Sequence, residues 1–334
     1  DVSVSMITRY LEAGGNFFDA ANIYTKGHNE TILGDYFATG PGRGNRDRAV
    51  IATKFGGNMW PGDPNGGGSS RKSMCTAVEH SLRRLKTDSI DLLWCHFQDI
   101  HTPIDETMHS LDMLVRQGKV RYIGLSDHPA WVCVQALYES VFRGWVQPTA
   151  IQIEYSLLQR TVEYDLLPMA RKCGFGVTPW SPLRGGVLTG KFTREHRPKD
   201  DGSTRVRSDS KYLSEATFVL IDALREIAEA HSTGGRRVTP AQVALRWVME
   251  RNGVTSTILG ARTMAQLDDN LGACAVRLTA EDTKRLDLLT EPPVCFPHDF
   301  LANLIPNTIQ GGTTVNGRAT QPWPLAPQSP SERW

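Results

Sequence analysis

Seven short apolar runs, separated by stretches of helical periodicity, constrain the fold of this chain more than any other feature. The runs cover residues 16–19, 50–54, 90–96, 121–125, 150–154, 176–180 and 256–259. Their β-branched and aromatic content, with glycine or polar residues on their flanks, predicts strands. Apolar residues recur at helical spacing over 73–85, 104–117, 130–141, 162–173, 217–231, 240–251, 264–274 and 280–289, which predicts helices between and after them. Thr239-Pro240 and Thr279-Ala280-Glu281-Asp282 read as helix starts, a capping hydroxyl followed by proline or by acidic residues. Such alternation gives a parallel sheet wrapped by helices. A chain of 334 residues with 40% hydrophobic content buries one large core. The expected fold is therefore α/β; if the parallel strands close into a barrel, chemistry sits at the C-terminal ends of the strands.

Seven strands leave a closed barrel of eight one short. Residues 1–11 already read as the first helix, with Val4, Ile7 and Leu11 on one face and Gly14-Gly15 as its stop. A barrel short of one strand exposes two sheet edges. Together with a first residue that is not methionine, this predicts an N-terminus that begins upstream, and a gap, or a substitute segment, beside the strand ending at Asp19. The barrel domain is expected to span 1–295. A tail over 296–334, carrying Phe300, Leu304 and Trp323 among prolines and glycines, is expected to pack on or near it. No internal repeat or low-complexity tract interrupts the chain.

Charge and composition narrow the function. A net charge of +1 provides no field for nucleic acid or a membrane surface, and the pair Arg236-Arg237 reads as a solvated loop. No apolar run has the length needed to cross a bilayer. The cysteines at 75, 95, 133, 173, 274 and 295 are scattered without metal-ligand spacing, so no metal is expected and a reducing, cytoplasmic setting is.

Asp19, Tyr24, Lys54 and His96 each fall at or just past the end of a strand run. Taken singly, Asp19 can cap a helix, Lys54 can be a solvated strand end and His96 a core histidine. Four at corresponding strand ends form a relay. A tyrosine hydroxyl with a free pKa of about 10 donates a proton at neutral pH more readily when a cation stabilises its phenolate. Lys54 is placed to be that cation, Asp19 to hold the ammonium and bring the donor toward working pH, and His96 to polarise a substrate oxygen.

The stretch Asn16-Phe17-Phe18-Asp19-Ala20-Ala21-Asn22-Ile23-Tyr24, followed by Asn29-Glu30 and Leu33-Gly34, resembles the signature of the aldo-keto reductases. Ala52-Thr53-Lys54 and Leu92-Leu93-Trp94-Cys95-His96 resemble that family's lysine and histidine segments. Gly124-Leu125-Ser126-Asp127, the segment 151–156, Pro179-Trp180-Ser181-Pro182-Leu183, and Gly260-Ala261-Arg262 through Gln266 and Asn270 resemble its later cofactor segments. The likeness runs in order to about Leu289 and is greatest to the bacterial and fungal aryl-alcohol dehydrogenase-like branch.

The resemblance implies a TIM-barrel reductase that passes hydride from NADPH to an aldehyde or ketone, with Tyr24 as proton donor and a small-molecule carbonyl or alcohol as substrate. It implies that Ser126, Asp127 and Gln152 face the nicotinamide carboxamide and that Trp180 stacks on the ring; Asp127 stands where the family most often has asparagine. Ser181, Leu183, Gly186 and Arg184 would line the pyrophosphate, where glycines let backbone amides approach. Gly260 leads to Arg262, which would meet a 2′-phosphate, and Gln266 and Asn270, one helical turn apart, would take the adenine edge. No Gly-x-Gly-x-x-Gly follows a strand, so a Rossmann site is unsupported. Trp60, in the long loop opened by Met59-Trp60-Pro61-Gly62, and Phe97, Trp131 and Tyr155 after other strands are expected to wall an aromatic substrate pocket. Two rivals stand beside the reductase: a nucleotide-binding regulatory subunit of the same fold, like those of potassium channels, and a hydrolase using Asp and His, which lacks paired acidic residues at suitable strand ends.

Overall fold

A computed structural model of the chain describes every residue except Asp1, Ser203, Gln328 and Trp334. It divides into two compact units, Asp1–Thr290 and Glu291–Trp334.

In the first unit, six strands form one parallel sheet in sequence order: β1 Phe17–Asp19, β2 Val50–Phe55, β3 Ile90–Cys95, β4 Val120–Ser126, β5 Ala150–Glu154 and β6 Gly176–Trp180. The helices are α1 Val2–Glu12, α2 His28–Ala38, α3 Arg71–Leu85, α4 Ile104–Arg116, α5 Ala130–Arg143, α6 Leu166–Cys173, α7 Glu215–Ala230, α8 Pro240–Met249, α9 Met264–Leu271 and α10 Ala280–Leu289. The second unit holds α11 His298–Thr308 and an antiparallel hairpin of β7 Thr314–Val315 with β8 Arg318–Ala319. Thr239 and Thr279 cap α8 and α10 as their sequences predict, Thr279 in a capping box with Asp282. The start of the first helix at Asp1 lies outside the described residues.

The sheet curls. Strands lie about 4.8 Å apart, so the four steps from β1 to β5 span roughly 19 Å on a flat sheet. Yet Gln152 Nε2 on β5 donates to Asp19 Oδ1 on β1 at 3.0 Å. The concave face is filled by Ala52, Leu92 and Trp94, with Phe17 and Ala150 against them. Ile51, Leu93, Cys95, Ile123, Ile151 and Val177 join the large outer core under the helices. Period-2 alternation thus sends one set inward and the other toward the helices, the layering of a barrel wall.

Two sequence expectations need correction, and one helix escaped sequence reading. The run 256–259 forms no ladder strand, although Thr255 N–H and Ser256 N–H reach Val177 O and Ile258 N–H reaches Pro179 O. The reciprocal donors are lacking: Val177 N–H bonds Thr255 Oγ1, and proline has no N–H to give. Helix α2 was not delimited from sequence, because its buried face carries Glu30 and Gly34 beside Leu33, Tyr36 and Phe37, which blurs the apolar stripe. The helix expected over 162–173 is split into a 3₁₀ turn at Thr161–Glu163 and α6.

At the flank where a further strand was expected, β1 pairs with β2 and, among the described residues, with no other strand. Asn16 O bonds Val50 N–H toward β2, so by alternation Phe17 O points the other way. The Tyr10 hydroxyl of α1 donates to that carbonyl at 3.3 Å, and the Tyr10 ring packs edge-on against Phe18. α1 thereby covers part of the open edge.

Candidate active site

The carboxyl edge of the sheet collects the predicted quartet. Asp19 ends β1, Lys54 stands one residue before the end of β2, and His96 directly follows β3, its N–H bonded to Phe55 O at 3.1 Å. The register aligns Asp19 with Ala52 and Lys54 with Trp94, so the side chains rise from one rim. Lys54 has no exposed surface and is ion-paired to Asp19 Oδ2, whose side chain is 8% exposed. The ammonium also donates to Ala20 O at 2.9 Å. Burial pulls Lys54 below its usual range, and Asp19 opposes that shift.

Tyr24 comes to the same place by a turn instead of a strand. It is 39% exposed, with the Lys54 ammonium 4.8 Å from its ring centroid and the His96 ring edge-on at 5.8 Å. This corrects one part of the expected relay. Lys54 lies over the ring and gives its hydrogen bonds to Asp19 and Ala20, so its charge is already compensated. Burial, then Asp19 and Asp127, push the phenol up to about 12. Tyr24 is thus a firmly protonated phenol in the free protein, not an acidified one.

His96 is driven down to about 3, by burial and then by the Lys54 charge, and is neutral at physiological pH. Its ring stacks on Phe97 at 4.0 Å, and Nδ1 is buried without a partner among the described residues.

Around the rim, the cofactor candidates sit on strained backbone. Asp127, Ser181 and Arg184 have φ of 52°, 53° and 48°, and Gly185 and Gly186 follow at 64° and 101°. Left-handed conformations in non-glycine residues persist only where the surroundings hold them. At Asp127 those surroundings are visible: Trp180 Nε1 donates to its Oδ1 at 3.0 Å, and buried His128 bonds Ser126 O through Nδ1 at 2.6 Å. Sequence reading missed His128, whose only signal was its place two residues past a strand end. Burial raises the Asp127 carboxyl, with the Trp180 bond opposing.

Several candidates have other partners than expected. The amide of Gln152 is used on Asp19. Arg184 is ion-paired with Glu154 and hydrogen-bonded to the Tyr212 hydroxyl, its guanidinium 4.0 Å over that ring, so its charge is engaged within the protein and not directed at a pyrophosphate. Gln266 Oε1 accepts from Arg262 N–H at 2.9 Å, and Asn270 is buried, so α9 does not offer both as an open polar face. Tyr155 is 0% exposed and donates to Glu163 at 2.7 Å, which makes it a core residue and not a substrate wall. Trp60 packs edge-on against His80 of α3, and Trp131 stands exposed at the start of α5. Of the four aromatic candidates, Phe97 is the one in ring contact with the quartet among the described residues.

Two cations escaped sequence reading. A Cβ on Gly186 would lie 3.0 Å from Lys191 Nζ, and Lys191 is held below its usual range by burial and then by the Arg262 charge. The turn after β6, Lys191 and the start of α9 at Arg262 therefore converge on one basic spot. Arg205, exposed in the segment before α7, is close enough to Tyr24 to oppose its upward shift. Neither lies in a periodic segment, so pattern reading had no handle on them.

A parallel, curled α/β sheet whose carboxyl rim carries a buried carboxylate–ammonium pair, a phenol and a neutral imidazole has the layout of a barrel oxidoreductase. The chain belongs to the aldo/keto reductase family, whose family profile matches residues 1–291, and it is an oxidoreductase of that TIM-barrel family. It is 34% identical over 304 residues to the probable aryl-alcohol dehydrogenase AAD4 of Saccharomyces cerevisiae, covering 89% of this chain and 90% of that protein. It is 37% identical to the uncharacterized oxidoreductase YrpG of Bacillus subtilis, covering 83% of each. It is 32% identical to norsolorinic acid reductase B of Dothistroma septosporum, covering 91% and 76%. Members of the family generally use NAD(P)H and act on small molecules. No helix among the described residues is long and apolar enough to cross a membrane.

Proposed function

We propose that the chain reduces an aldehyde or ketone to an alcohol with NADPH, with Tyr24 as the proton donor. The observation that carries this reading is the Tyr24 phenol between the buried Asp19–Lys54 pair and neutral His96. The residues present suit the cofactor. Ser126, Asp127 and Trp180 form a braced polar rim for the nicotinamide, the turn after β6 at Ser181, Leu183 and Gly186 leaves the side-chain-free Gly186 for close approach of a phosphate, and Lys191 and Arg262 supply positive charge beside it. When bound, NADPH supplies the hydride.

The chain's own groups do the rest. Neutral His96 offers a ring N–H to the substrate oxygen, orienting the carbonyl and withdrawing charge from its carbon. Tyr24 keeps its proton until the substrate oxygen turns alkoxide-like, and an alkoxide is a stronger base than a phenolate, so transfer runs downhill even from a phenol at about 12. Lys54 then faces the phenolate formed. Phe97 gives an aromatic wall against His96, which, with an aryl-alcohol dehydrogenase among the relatives, favours aryl carbonyls. The cysteines at 75, 95, 133, 173, 274 and 295 are all unpaired, which supports a cytoplasmic setting.

The test is Tyr24→Phe. It should abolish reduction across a panel of aryl and alkyl aldehydes while NADPH affinity, read by fluorescence titration, stays nearly unchanged. Near wild-type turnover would remove Tyr24 from the mechanism. Tight NADPH binding by the wild-type protein without turnover of any carbonyl would point to a regulatory subunit instead.

A further inference from the structure

Beneath the Tyr24 turn lies a buried carboxylate that the chemistry does not use. Glu30, in the first turn of α2, is 0% exposed. Both of its oxygens are engaged: Oε1 accepts from Thr53 Oγ1 at 2.6 Å and Oε2 from Arg84 Nε at 2.6 Å. One carboxylate therefore joins α2, the residue immediately before Lys54 on β2, and the end of α3. A buried ion pair is a poor stability device, since an apolar set of similar volume usually serves as well. Its use here calls for a geometric reason.

The turn that presents Tyr24 supplies one. Thr25, Lys26 and Gly27 follow it with φ of 46°, 58° and 87°, three successive left-handed residues of which two carry side chains. Such a turn holds its shape only if neighbouring structure fixes it. The neighbour is Arg84: a Cβ on Gly27 would lie 2.7 Å from its Cδ and Nε, and a Cβ on Gly34 would lie 2.2 Å from its carbonyl oxygen. The turn and α2 rest directly on the residue that Glu30 holds. We propose that Glu30 and Arg84 are positioning residues that lock this turn and, through Thr53, tie it to the strand carrying Lys54, so that phenol and ammonium keep their separation. The inference rests on the reading of Tyr24 as proton donor. Consistent with a link across β2, the Glu30 charge also favours protonated Lys54.

The experiment compares Glu30→Gln, Arg84→Lys, Arg84→Met and Tyr24→Phe for kcat, KM, NADPH affinity, pH profile and thermal stability. Glu30→Gln should lower kcat by about tenfold to a hundredfold, the scale of a misplacement near 1 Å. KM and NADPH affinity should hold, and the basic limb of the kcat profile should move to lower pH as Lys54 loses a favourable charge. Arg84→Lys, which keeps the cation, should retain more turnover than Arg84→Met. An unchanged kcat per folded molecule with only a lower melting temperature makes the pair structural and overturns the inference, as does a parallel loss of NADPH affinity. A dead Tyr24→Phe beside a fully active Glu30→Gln overturns this inference alone, whereas an active Tyr24→Phe removes it together with the donor assignment. If Glu30→Gln does not fold, Thr53→Val, which removes one arm of the tie, is judged by the same criteria.

Discussion

Replacing Lys54 by methionine separates what the buried ion pair does for stability from what it does for turnover. Methionine approximates the volume but removes a cation with no exposed surface from a carboxylate that is 8% exposed. Asp19 Oδ2 and Ala20 O lose their donor, while Asp19 Oδ1 keeps the bond from Gln152 at 3.0 Å. Stranding one member of a buried pair costs about 3–5 kcal/mol, of which the orphaned carbonyl accounts for about 1 kcal/mol. Adding Asp19→Asn removes the stranded charge and leaves an amide that can still meet Gln152. The double variant should therefore recover about 2–4 kcal/mol over Lys54→Met, which is the charge part of that loss. The assay is denaturant unfolding of wild type, both single variants and the double variant, with aldehyde reduction measured on each. Both Lys54→Met proteins should be inactive, so regained stability should bring no regained turnover. A coupling energy within about 0.5 kcal/mol of zero would show that the pair is not an energetic unit, and turnover in the double variant would show that neither charge takes part in the chemistry.

Three further outcomes follow from the same geometry. His96 is neutral when folded, with a pKa of about 3, but takes a proton below about 6.5 when unfolded. The unfolded state thus binds more protons below that value, and wild-type stability should fall by about 1.4 kcal/mol between neutral pH and pH ~5.5 relative to His96→Asn; parallel stability profiles would contradict the burial of this ring. Arg262→Ala should weaken NADPH by about tenfold to a hundredfold and leave NADH almost untouched, while Lys191→Met, at the Gly186 turn, should weaken both in fluorescence titrations; equal loss of both cofactors in Arg262→Ala would make Arg262 structural. Gly124→Ala would put a methyl 2.4 Å from the Trp94 ring inside the curled sheet, so it should lower stability by about 1–3 kcal/mol, and an unchanged denaturation midpoint would mean the interior has slack.

Local pattern alone determined the parallel α/β layout. β5 and β6 end where their apolar runs end, and α10 begins at the capping box its sequence spells, because strand period, helical period and capping involve residues within a few positions of one another. The rim positions of Asp19, Lys54 and His96 were legible for the same reason: being at a strand end is a local property, and a parallel sheet makes it a shared one. What each rim side chain touches was not local. Gln152 meets Asp19 across 133 positions because the sheet curls, Arg184 turns to Glu154 and Tyr212, and Tyr155 turns inward to Glu163, none of which a periodicity can encode. The run at 256–259 lost its ladder to the missing N–H of Pro179 and a threonine hydroxyl. The direction of the Tyr24 shift was decided by burial and then by the Asp19 and Asp127 charges. Even the turn that presents Tyr24 is held from below by Glu30 and Arg84, 54 positions apart. Local pattern put the candidate groups on one rim; only the closing of the chain in three dimensions settled their partners, and with them their charges.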